Sequence, residues 1–129
     1  MIEQLKYSRG ELTISTAGQK AYEITNNINS WLVNETIKDG QLNIFIKHTS
    51  ASLCIQENAS KEVLEDIDIF LKKIVPENPS LYKHTIEGKD DMPAHIKSML
   101  TQTSIIIPII NKKMNLGIWQ GVFLLEHRI

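Results

Sequence analysis

Cysteine is almost absent from this 129-residue sequence: Cys54 stands alone, so no disulfide can close within the chain, and the count fits a reducing compartment. Charge of one sign is missing too. Fourteen basic residues against fifteen acidic ones leave a formal net charge of −1. Lys72-Lys73 and Lys112-Lys113 are the only basic doublets. Nucleic acid and anionic membrane surfaces both call for a clustered positive field, so neither is an expected partner. Long apolar runs are lacking as well. The longest, Ile105 to Ile110, falls far short of the roughly 20 residues that cross a bilayer. Met1-Ile2-Glu3-Gln4-Leu5-Lys6 lacks the basic-then-apolar layout of a signal peptide, and a cytoplasmic location is the expectation. Repeats, low-complexity tracts and a P-loop glycine pattern are absent.

What is present fits one domain spanning residues 1–129. The hydrophobic share of 42% and charged share of 22% are ordinary for a globular chain. Residues 11–16 alternate apolar and polar and predict a first strand. Ile24, Ile28, Trp31, Leu32 and Ile37 recur at helical spacing within 21–38, and Asp39-Gly40 supplies a stop. Leu42, Ile44 and Ile46 alternate with polar neighbours in the clearest strand of the chain. Another strand is expected over 52–57. Val63, Leu64, Ile67, Phe70, Leu71 and Ile74 then mark a helix that ends before Pro76, with Asn58 or Ser60 as its N-cap. Residues 76–91 read as a long loop of the kind that often carries function. A short helix is expected over 94–100 after Pro93, and strands over 105–109 and 121–126 close the pattern. The whole predicts an α+β domain with a mainly antiparallel sheet, two longer helices and one short one.

Several polar residues stand where the apolar pattern does not want them. Period two carries the inward face of Leu42, Ile44 and Ile46 on to His48. His48 reads either as a hydrogen-bonded core histidine or as part of a polar site with Thr49, Ser50, Gln56, Glu57 and Asn58. A second cluster runs from His84 through Glu87, Gly88, Asp90 and Asp91 to His95. It reads either as a solvated acidic loop whose Asp90 or Asp91 caps a helix, or as a place where His84 and His95 converge as ligands or acid–base groups. His95 is expected in the first helical turn, where the dipole favours a neutral imidazole. Three histidines with carboxylates nearby can build a metal site with an open position, although a spacing of eleven is longer than a compact zinc motif. Cys54 reads as a small buried strand residue, Met92, Met99 and Met114 as packing, and His127 as an exposed or edge residue. Gly117-Ile118-Trp119-Gln120-Gly121 reads as a tight bend or as a pocket wall, and the role of Asp66 stays open.

At these same segments the chain resembles the YjbQ-like family of the secondary thiamine-phosphate synthase type. The resemblance is carried by His48-Thr-Ser-Ala-Ser-Leu53, Gln56-Glu-Asn58 with Asp66, Glu87-Gly88, and Asp90-Asp-Met-Pro-Ala-His-Ile-Lys97. Ile107-Pro108, Leu116-Gly117, Trp119-Gln120-Gly121 and Glu126 extend it to about residues 10–128. It implies an α+β fold assembled as a homotrimer, and a divalent metal, zinc or magnesium, held by His48, His84 and His95. It also implies Glu57, Asp90 and Gln120 as catalytic residues and Asn58 as a cofactor-binding residue in the same pocket. The implied activity is a weak thiamine-phosphate synthesis, joining a pyrimidine pyrophosphate to a thiazole phosphate with release of pyrophosphate. The alternative is a non-catalytic, metal- or small-molecule-binding homotrimer. Ser60-Lys61 replaces the family's usual Asp-Pro, Ile118 replaces a threonine, and the chain stops soon after Glu126, where many relatives carry a longer tail.

Overall fold

The computed structural model describes residues 4–129. Its elements run in the order β1 (Lys20–Glu23), α1 (Thr25–Val33), β2 (Gly40–Phe45), β3 (Ala51–Glu57), α2 (Lys61–Ile74), α3 (Asp91–Leu100), β4 (Ser104–Ile110), β5 (Lys113–Met114) and β6 (Gln120–Glu126), with a 3₁₀ turn at Pro79–Leu81. The fold is α+β and every strand pairing is antiparallel, but the strands form two sheets where one was expected. The first sheet has the order β1-β6-β3 and the second β2-β4-β5. One isolated bridge, Leu53 with Gln102, joins β3 to the segment just ahead of β4.

The core lies where α1 and both sheets meet. Ile24, Ile28 and Leu32 come from the first helix and the residue before it, Leu53 and Val122 from one sheet, and Ile105, Ile107, Ile109 and Met114 from the other. Strand β4 alternates strictly, with Ile105, Ile107 and Ile109 buried and Ile106, Pro108 and Ile110 exposed, which is the period-two signature of a sheet with one covered face. Asn111 and Lys112 adopt positive φ in the β4–β5 turn, where Asp39 Oδ1 accepts the Asn111 amide.

Four sequence expectations are corrected here. Residues 11–16 form no strand; side chains anchor this stretch, with Thr16 Oγ1 donating to Glu126 at 2.8 Å. The helix expected over 21–38 is split. Lys20–Glu23 pairs with β6 as β1, and α1 ends at Val33, leaving it the shortest of the three helices. Ser60 does precede α2, but its hydroxyl makes no capping bond to the helix and turns to Glu62 instead. Met99 is exposed, so of the three methionines only Met114 is a core residue.

The β3–β6 ladder positions everything that follows. Its register sets Ala51 opposite Glu126 at one end and Glu57 opposite Gln120 at the other. Six steps of strand separate those ends by about 20 Å. Gly121 sits at the second end because a side chain there would meet Glu23 Oε2 at 2.6 Å and Asn58 Cβ at 3.1 Å.

Candidate functional site

Helix α3 begins at Asp91 after a turn in which Gly88 takes φ +108°. This backbone delivers Asp91 and His95 to one face at i and i+4, the spacing at which helical side chains meet. His95 therefore occupies the second turn of the helix rather than the expected first. The loop before α3 brings in His84 from outside. Its Nε2 lies 2.7 Å from Asp91 Oδ2, and His95 Nε2 lies 3.1 Å from the same oxygen. The two ring centroids are 5.7 Å apart. His84, Asp91 and His95 thus each turn one ligand atom inward, all three within 4.8 Å of one another.

The hydrogen bonds around these atoms specify their chemistry. His95 Nδ1 lies 2.8 Å from the Thr49 carbonyl, which can only accept, so the Nδ1 proton is fixed; Nε2 then carries a lone pair in the neutral ring and a proton toward Asp91 in the imidazolium. A lone pair facing a carboxylate oxygen at 3.1 Å is repulsive unless a proton or a cation lies between them. Asp91 is buried, and burial by itself would raise its pKa. The hydrogen bond from His84 and the charges of His95 and Arg128 outweigh that penalty and hold it below the usual carboxylate range. Its second oxygen, Oδ1, is taken by Arg128 Nη1 at 2.9 Å.

Asp90 is also buried and does not cap α3 through its side chain. Its carboxylate accepts from Arg128 Nε at 3.1 Å and from the Ile129 amide at 3.0 Å, and the Arg128 hydrogen bond is the main cause of its lowered pKa. Arg128 also donates to the Glu87 carbonyl at 2.8 Å. One guanidinium therefore fastens the 87–91 turn to the end of β6. Further along α3, the ammonium of Lys97 is buried without a hydrogen-bond partner among the described residues, and burial depresses its pKa against the opposing pull of Glu77 and Asp68.

The other site residues named from sequence lie elsewhere. His48 falls beyond the end of β2 and is exposed, not on the inward face, because the strand pattern stops at Phe45 and the chain turns toward β3. Its Nδ1 accepts from the Ser50 amide at 3.0 Å, and it is not part of the His84–Asp91–His95 group. Glu57, Asn58 and Gln120 gather at the far end of the β3–β6 ladder. There Asn58 Nδ2 donates to Glu23 Oε2 at 3.1 Å, and Gln120 Oε1 accepts the Gly117 amide at 2.7 Å, which makes the 117–121 segment a tight bend with Trp119 exposed. Within one chain the two polar groups do not meet.

Sequence reasoning passed over Asp91 as a site residue, grouped Thr49 with His48 rather than with His95, and missed Arg128. The Asp91–His95 spacing was visible once the helix start was placed correctly. Nothing in the sequence signals Arg128, which reaches the site from 37 positions downstream of Asp91. His127, expected as an exposed or edge residue, is buried, and its Nε2 lies 2.8 Å from Ser52 Oγ. Cys54 is partly buried in β3, and burial pushes its thiol up to about 11, the profile of an unreactive cysteine. Asp66 is exposed on α2.

A compact α+β domain with two small antiparallel sheets and a histidine–carboxylate cluster at the start of its last helix defines the class. Residues 10–129 match the family described as UPF0047 protein YjbQ-like, and the chain belongs to that family. It is 50% identical over 117 residues to UPF0047 protein sll1880 of Synechocystis sp., covering 91% of this chain and 80% of that one. It is 39% identical over 119 residues to UPF0047 protein YjbQ of Escherichia coli O157:H7, covering 92% and 86%. Among solved structures, a conserved hypothetical protein of Thermus thermophilus superposes with a TM-score of 0.81 at 29% identity, covering 92% of this chain and 89% of that one. An uncharacterised YjbQ/UPF0047 family protein of Clostridium acetobutylicum gives 0.79 at 32% identity, covering 89% and 86%. No helix among the described residues is long and apolar enough to cross a membrane.

Proposed function

We propose that His84, Asp91 and His95 form a divalent metal site that acts on a phosphorylated small molecule. The observation carrying this reading is the convergence of two imidazole Nε2 atoms and one carboxylate oxygen within 4.8 Å, with the lone pair of one imidazole already turned inward by its hydrogen bond to Thr49. Two imidazoles and a carboxylate suit zinc better than magnesium, which prefers an all-oxygen shell. Three protein ligands leave a position open for substrate, and the metal supplies Lewis-acid stabilisation of phosphate oxygens. Arg128 and the Thr49 carbonyl orient the ligands, as outer hydrogen bonds do in such sites.

The reaction proposed is the thiamine-phosphate synthesis that the resemblance implies. Glu57, Asn58 and Gln120 lie about 20 Å away along the same chain and form a separate polar group. In the trimer reading the exposed outer face of β4 (Ile106, Pro108 and Ile110) is a subunit contact; an uncovered apolar face of this kind favours association.

One set of preparations tests these points. Wild-type protein purified without chelator is expected to retain one equivalent of zinc by elemental analysis. His84→Ala and His95→Ala are expected to bind it at least a hundredfold more weakly, with unchanged circular dichroism. Equal zinc content in all three would sink the ligand assignment. Sedimentation at three times the chain mass is expected throughout. Thiamine phosphate formed from the two precursors should exceed that of the zinc-free variants, and equal product would favour the non-catalytic alternative.

A further inference from the structure

We propose that His48 is the fixed hydrogen-bond donor of an oxyanion-binding cleft beside the metal site, and not one of the metal's ligands. The proposal rests on the metal reading of His84, Asp91 and His95 only for which histidines take the metal. The Ser50 backbone amide points at His48 Nδ1 from 3.0 Å, and the Ser50 hydroxyl stands 3.1 Å from the same atom. A backbone N–H can only donate, so Nδ1 must accept and the proton of the neutral ring sits on Nε2. His95 is built the other way round. Its Nδ1 donates to the Thr49 carbonyl, leaving the lone pair on Nε2. Two imidazoles linked through a three-residue stretch of backbone, His48-Thr49-Ser50, therefore carry opposite tautomers. One presents a lone pair, which a cation needs, and the other presents an N–H, which an anion needs.

The surroundings of His48 match that division. It lines an open cleft of about 510 Å³ together with Phe45, Ile46, Lys47, Thr49 and Thr103. Lys47, His48 and the two threonines supply donors, and no carboxylate is among the lining residues. Lys47 has an acidic contact of its own, Glu11, which lies 3.4 Å from its ammonium in a pair whose side chains are both exposed. Phe45 and Ile46 give an apolar wall. A cleft with this lining fits a small molecule that joins an apolar or aromatic body to a phosphate or diphosphate group. Thr49 connects the two places directly: it is one of the residues lining the cleft, and its carbonyl holds the His95 ring.

The tautomers can be read by two-bond ¹H–¹⁵N correlation of the imidazole rings. His48 is expected as the Nε2–H form both before and after one equivalent of zinc, whereas His95 is expected as the Nδ1–H form with its Nε2 resonance moving on zinc addition. A His48 nitrogen that takes the zinc shift, or a His48 ring in the Nδ1–H form, overturns the proposal. If zinc moves no histidine resonance while His48 stays in the Nε2–H form, the metal reading fails and the His48 assignment stands. Binding is tested by titrating inorganic pyrophosphate into chelator-washed protein, where no metal can hold the ligand. His48→Asn keeps an acceptor for the Ser50 amide and removes the distal donor, and it is expected to weaken pyrophosphate binding at least tenfold. His48→Gln, whose amide nitrogen reaches toward the Nε2 position, is expected to recover part of the loss. Zinc content should be the same in wild type and both variants. Pyrophosphate affinity that is undetectable in wild type, or equal in wild type and His48→Asn, overturns the donor role.

Discussion

Exchanging Asp91 for asparagine is expected to abolish zinc retention and to lower stability by about 2–4 kcal/mol, although the side chain changes by a single atom. Asp91 is 2% exposed and meets three cationic or proton-bearing groups at once: His84 and His95 at Oδ2, and Arg128 at Oδ1. An amide can still accept from Arg128 through its oxygen, but its NH₂ group then stands where Oδ2 accepted from His84, and Arg128 loses the negative charge that balances it. The buried position leaves no water to relieve the mismatch. Arg128 keeps Asp90 in the variant, so the C-terminal end of β6 should stay attached and the loss should be local. The measurement is urea unfolding of apo protein, paired with zinc titration of the folded variant. If Asp91→Asn binds zinc as tightly as wild type, His84 and His95 do not share a metal with this carboxylate. If its stability is unchanged, the three contacts are not energetically coupled to the fold.

The strands of the core were legible because their signal is local. Period-two alternation at 42–46 and 105–109 and helical spacing at 63–74 each follow from which face a side chain presents, and the structure places these elements at nearly those positions. Boundaries set by partners were not legible. Ala21 and Tyr22 read as the start of a helix, yet β6 recruits them as an edge strand, and only the pairing of Lys20 with Glu126 fixes that outcome. The alternating stretch 11–16 has a strand's pattern and no strand to pair with among the described residues.

The site divides along the same line. His84, Asp90, Asp91 and His95 stood out as polar residues crowded into twelve positions, and the structure brings two of those histidines onto one carboxylate. His48 was read from a periodicity that ends three residues before it, so its placement on the inward face fails, while its hydrogen bond to Ser50 could not be foreseen from spacing. Arg128 belongs to the cluster through tertiary packing alone. A sequence window shows which residues are chemically capable, but the direction in which each imidazole nitrogen points depends on a carbonyl or amide contributed by another segment.

Acidifying the solution from pH 7 to pH 4 is expected to remove about 3 kcal/mol of stability through His127 alone. This side chain is 4% exposed, its Nε2 lies 2.8 Å from the fully buried Ser52 Oγ, and its backbone is held by the Ser50 carbonyl and by Gln19. Burial pushes its pKa from 6.5 down to about 4, the charge of nearby Lys97 pushes the same way, and Glu126 and Asp68 oppose both. The unfolded chain therefore takes up a proton near pH 6.5, while the folded chain refuses it until about pH 4. Between those values the unfolded state binds more protons, so stability falls as the pH falls. Above the unfolded value the contribution is fully present. His127→Gln removes the titration and keeps a side chain able to hydrogen-bond to Ser52. Its unfolding free energy should start below that of wild type at pH 7 and decline less toward pH 4, so the two curves converge in that window. Parallel curves for wild type and His127→Gln would place the acid sensitivity in other groups and show that the buried imidazole is accommodated with its proton.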